Sequence, residues 1–170
     1  MHMHHTALYR YFSTKDDLLS AVFVRLSEGI LHDTAASSAP LRERLRQLCS
    51  GLRGMFHSYP SLAPAVVVTA GSLPQAQAFQ VQIVGMLREM GVAESDLVRS
   101  YQALETHVIG GSYYDYTSAP DHLSQRRTRY REANDGSLDQ FSRKDADIDA
   151  LNEATFAWVL DLILDGAIRH

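Results

Sequence analysis

A chain of 170 residues with 45% hydrophobic and 21% charged side chains can fill one core and is too apolar for disorder. Five prolines and ten glycines exclude collagen-like and low-complexity classes, and no apolar run reaches the roughly 18–20 residues that span a bilayer. The net charge of −4 speaks against a nucleic-acid binder taken whole, yet residues 1–15 hold Arg10 and Lys15 with no acid, +2 against −6 for the remainder. A basic tip on an acidic body is the pattern of a nucleic-acid module joined to a larger domain. The sequence predicts no signal peptide and no membrane partner. Its single Cys49 has no internal disulfide partner, which predicts a cytoplasmic protein.

Long segments of 3.6-residue period dominate, with no strand-like alternation. A short segment over about residues 3–11 precedes Ser13 and Thr14, either of which suits a helix cap, with Asp16 and Asp17 in the following turn. Leu18, Leu19, Val22, Phe23, Leu26, Ile30 and Leu31 then predict an amphipathic helix to about residue 33. Pro40 stands at the expected first position of the next helix, whose stripe is Leu41, Leu45, Leu48, Leu52 and Phe56. Pro60 and Pro64 bracket a break before the apolar piece Ala65–Thr69. Pro74 opens a helix carrying Phe79, Ile83, Val84, Leu87 and Met90, with Gly91 as its C-terminal cap. A further helix runs from near Glu94 towards Tyr116. Residues 118–145 read as a polar, partly helical excursion, and a last helix runs from Asp147 to about Ile168. The pattern predicts an all-α protein of seven or eight helices.

The last helix is apolar around more than half its circumference near its end, so a second face needs a second contact. Phe156, Val159, Leu160, Ile163 and Leu164 are the candidate homodimer residues; a fully buried central helix in a monomer is the other reading. On the central helices, Met55, Phe56, Tyr59, Met86, Met90, Tyr101, His107 and Tyr113 combine apolar bodies with polar tips. That mixture suits a small-molecule cavity, although the same side chains serve equally as plain core. His107 is the leading polar candidate, because a histidine on an apolar face needs a partner. Nothing points to catalysis: there is no glycine-rich phosphate loop, no His-Glu-x-x-His and no Cys–His spacing, and Cys49 reads as a small core residue. No cofactor or metal is expected.

The segment Thr6-Ala7-Leu8-Tyr9-Arg10-Tyr11-Phe12, followed by Lys15 and Leu18-Leu19, resembles the end of the helix-turn-helix in TetR-type transcriptional repressors. Leu8 and Phe12 lie four apart and suit anchors, leaving polar side chains for DNA. The resemblance implies base contacts from His4, His5, Thr6 and Ala7, and phosphate contacts from Tyr9 and Lys15. His2, His4 and His5 also admit a reading as a vector remnant, and they are too few for a metal site. The closing segment Phe156–Ala167 is similar to the helix that builds a four-helix dimer interface in the tetracycline-repressor branch. Where that branch has a metal-liganding histidine, this chain has Ala65-Val66-Val67-Val68-Thr69; that departure, with the Met and Tyr side chains as adaptable walls, predicts an apolar or aromatic effector taken up without metal. The resemblance further implies a TetR-like bundle divided at residue 33: a remnant of the DNA-binding domain and connecting helix at 1–33, and an effector-binding and dimerisation domain at 34–170. The family's first two helices would precede Met1, so operator DNA is the expected partner of a longer protein and the 170 residues alone should bind it weakly. The alternative is an all-α small-molecule-binding protein without DNA-binding activity, with a small helical enzyme third.

Overall fold

The computed structural model describes residues 11–69, 73–116 and 148–168, together with Thr128 and Glu132. Six helices lie within them: α1 (Lys15–Ala36), α2 (Leu41–Ser58), the short α3 (Leu62–Thr69), α4 (Pro74–Glu89), α5 (Glu94–Tyr116) and α6 (Ile148–Ile168). Among the described residues there is no strand. The segment up to residue 10, expected to contact DNA, and the expected excursion at 118–145, apart from Thr128 and Glu132, fall outside the described residues.

Local chemistry accounts for the helix ends. Thr14 caps α1 through a reciprocal pair: the Asp17 backbone N–H donates to Thr14 Oγ1 (3.0 Å), and the Thr14 N–H donates to Asp17 Oδ2 (2.9 Å). Asp16 and Asp17 also face the positive end of the helix dipole. Pro40 stands one place earlier than expected, at the cap of α2 with φ −52° and ψ 147°, because its extended backbone precedes the first helical residue. At the end of α4, Gly91 takes φ 90°, and its N–H and that of Val92 close onto the carbonyls of Arg88 (3.0 Å) and Leu87 (3.1 Å). This is the glycine-capped ending in which both last-turn carbonyls are satisfied.

α2 and α5 pack against each other at the centre, α6 packs on α5 and reaches α2 through side-chain ion pairs, and α1 packs on α2, α3 and α4. Leu45, Leu48, Leu87, Leu104 and Leu164 are almost wholly buried. Two polar residues buried in α1 satisfy themselves locally: Ser27 donates to the Val24 carbonyl and Thr34 to that of Ile30. No described helix is long and apolar enough to cross a membrane.

Candidate functional site

A cavity of about 690 Å³ opens between α1, α2, α3, α4 and α5, within the size range of small-molecule sites. Its inner wall is aromatic and aliphatic. Phe23 of α1 lies almost parallel to Phe56 of α2, with ring centres 6.4 Å apart, and is tilted against Phe79 of α4 at 6.1 Å. Cys49, Leu52, Ile83, Leu104 and Val108 complete that wall. Burial pushes the Cys49 thiol up to about 12, so it stays protonated and serves as an apolar surface.

The rim is polar. Gln77 and Gln80 come from α4, and Tyr101, Glu105 and Thr106 from α5. The half-buried Tyr101 hydroxyl donates to Glu105 Oε1 at 2.9 Å. Burial, reinforced by that bond, raises the Tyr101 phenol well above its ordinary value, so it remains a donor. Among the described residues no group of three His, Cys, Asp or Glu side chains is placed to hold a metal ion.

Phe56 and Tyr101 are the two predicted ligand contacts on this wall. Met55 and Met86 are buried in the core, Met90 is half-buried against it, and Tyr59 is exposed. The side chain of Tyr113 lies outside the described residues. His107 turns to the other side of α5. Its ring stacks on Phe156 at 4.5 Å between centres, and its Nε2 meets the Phe156 carbonyl at 2.9 Å. Arg53, buried on α2, sets its guanidinium 4.6 Å from the centre of the same ring and pairs with Glu153 at 2.5 Å. Gly111 allows this approach, since a Cβ there would come within 3.1 Å of Phe156 Cδ2. The partner that His107 needed is therefore α6 itself. Phe23, Phe79 and Ile83 were visible as helix-stripe residues, but periodicity alone does not show that the space between them stays open.

Of the nominated α6 residues, Phe156, Leu160 and Leu164 point inward and are buried, while Val159 and Ile163 are half-buried. Trp158 (63% exposed) and Leu162 (49% exposed) occupy the outward face. Spacing by fours sends the first set to the core and the second to solvent. A shallow groove beside Leu162 is edged by Asp96, Arg99, Ala103 and Gly166. Lys15 opens α1 and is exposed. His4, His5, Thr6, Ala7 and Tyr9 lie outside the described residues.

Residues 36–169 match the family described as tetracyclin repressor-like, C-terminal domain. The chain belongs to that family. Its curated relatives include an HTH-type transcriptional repressor of Mycobacterium tuberculosis and an uncharacterized HTH-type transcriptional regulator of Mycobacterium bovis, each 29% identical over 118 residues. These alignments cover 66% of this chain and 45% of each relative, so the chain spans less than half the length of the proteins it matches. Among solved structures, a possible TetR family transcriptional regulator from Streptomyces coelicolor A3(2) superposes with a TM-score of 0.68 at 23% identity, over 96% of this chain and 82% of that one. The TetR family protein ActR of S. coelicolor in complex with actinorhodin superposes at 0.61 with 18% identity, over 97% and 83%. These likenesses establish a shared all-α TetR fold.

Proposed function

We propose that this chain is the effector-sensing and dimerisation part of a ligand-responsive transcriptional regulator, released from operator DNA by a small, largely apolar or aromatic molecule. The carrying observation is Phe23: it belongs to α1, the helix leading back to the DNA-binding segment, and its ring forms part of the cavity wall. Eight residues separate Phe23 from Lys15, about 12 Å of helix. A ligand displacing Phe23 therefore moves a rigid lever. In a dimer that movement changes the separation of two recognition helices, which must match half-sites about 34–36 Å apart. The ActR complex with actinorhodin supports ligand binding by proteins of this fold.

On this reading Lys15, and by resemblance Tyr9, contact phosphate; His4, His5, Thr6 and Ala7 meet bases. The outward side of α6, around Trp158 and Leu162, meets a second copy. The protein is not an enzyme and works in the cytoplasm, where the operator is. A thermal-shift screen of planar aromatic compounds tests the sensing role. Hits should stabilise the chain, Ile83→Trp should abolish their effect by filling the cavity, and the same hits should weaken operator binding by a version of the chain fused to a complete helix-turn-helix domain. Hits that survive Ile83→Trp, or that leave operator affinity unchanged, overturn the proposal.

A further inference from the structure

We infer that the cavity selects ligands that present a hydrogen-bond donor, preferably a protonated amine, at the Tyr101–Glu105 end, and rejects ligands that present a carboxylate there. This rests on the proposed ligand-sensing role and names the chemistry it takes. A tyrosine has one proton to donate, and Tyr101 gives its proton to Glu105 Oε1. What that pair still offers a ligand is lone pairs: those of the Tyr101 oxygen and those of the Glu105 carboxylate. A ligand group that reaches them has to donate.

Charge points the same way. Glu105 is the single charged side chain among the described residues lining the cavity, and none of these residues is Lys, Arg or His. Gln77, Gln80 and Thr106 can donate or accept and so discriminate little. Phe23, Phe56 and Phe79 provide an aromatic wall with no polar side-chain atom. The site thus reads as an aromatic slot with a negative, accepting rim, complementary to an amphiphile with a flat apolar body and an amine head. A ligand carboxylate would sit against a like charge with no cation among the described lining residues to offset it.

Three probes sharing one ring system separate the possibilities: naphthylmethylamine, naphthylacetate and methylnaphthalene, titrated by calorimetry into the 170-residue chain at neutral pH. The amine should bind at least about tenfold more tightly than the carboxylate, with the neutral probe between them. Glu105→Gln keeps the length of the exposed side chain and removes its charge, and should reduce the amine-to-carboxylate ratio by about tenfold. Equal affinities, a preference for naphthylacetate, or a ratio unchanged by Glu105→Gln would overturn the donor selectivity while leaving the site intact, provided Ile83→Trp still abolishes binding. Failure of all three probes to bind, or binding indifferent to Ile83→Trp, would overturn the ligand-site reading itself and this inference with it.

Discussion

Gly91 holds the one positive φ among the described residues, and nothing lies within 4 Å of where its Cβ would be. A substitution there meets no clash, so backbone conformation alone sets its cost. Gly91→Ala should lower unfolding free energy by about 1 kcal/mol, measurable by urea denaturation, without altering ligand affinity. Cys49 tests burial at the same scale. With its thiol pushed up to about 12 and no exposed surface, it should resist iodoacetamide at pH 8 in the folded chain and react once the chain unfolds. Alkylation of the native protein at the rate of a free thiol would contradict the burial described. By sequence His107 is the leading polar candidate for a ligand contact, yet in the fold it packs on α6. A histidine's need for a partner is legible, but the partner is a backbone carbonyl 49 positions away.

Between α2 and α6 the described contacts include a cluster of charges. Arg42 reaches Asp161 at 3.1 Å and Asp165 at 2.7 Å, and Arg46 Nε donates to Asp161 Oδ1 at 2.9 Å. The Arg46 hydrogen bond, assisted by Arg42, holds the Asp161 carboxyl below its ordinary value. Stabilisation from a depressed carboxylate is present above the unfolded-state pKa of about 3.9 and disappears as pH falls through the lower folded value. Asp161 is one-third exposed, so solvent screening keeps the contribution to about 1 kcal/mol or less. Asp161→Asn should accordingly destabilise the chain slightly at pH 7, and the gap between variant and parent should narrow as pH falls below the unfolded-state value and through the lower folded one. A gap that persists undiminished at acid pH would show that the carboxylate's charge is not the cause. Helix ends were largely readable at this scale, because caps such as Thr14–Asp17 and Gly91 involve residues within a turn of one another.

At the scale of the whole molecule, α6 is wedged against α5 by the Arg53–Phe156–His107 stack while presenting Trp158 and Leu162 outward. A second copy covering that face would remove the exposed indole from water, worth about 25 cal/mol per Å² of apolar surface buried. Leu162→Glu should therefore convert a dimer into a folded monomer in sedimentation, with helical content preserved because Leu162 lies outside the core. Leu160→Glu, by contrast, places a carboxylate where the chain is 2% exposed and should unfold it. A monomeric parent chain, or a dimer indifferent to Leu162→Glu, would refute the interface.

The all-α class, the Gly91 cap and most of the helix boundaries are legible in the sequence, because these depend on periodicity and on contacts a few residues apart, whereas Ser13 and Thr14 look equally fit to cap α1 until the bond to Asp17 is seen. The sequence also shows an apolar excess on α6, since counting apolar positions around a helix needs no knowledge of its neighbours. How that excess divides depends on packing, which sends Phe156, Leu160 and Leu164 to the protomer's own core and Trp158 and Leu162 to its surface. The cavity likewise could not be read from the chain. A stripe of apolar residues says which way a helix faces; whether facing stripes meet or leave room between them depends on how five helices approach one another. Phe23, Phe56 and Phe79 come from three of those helices, and their common wall exists only after all three have packed.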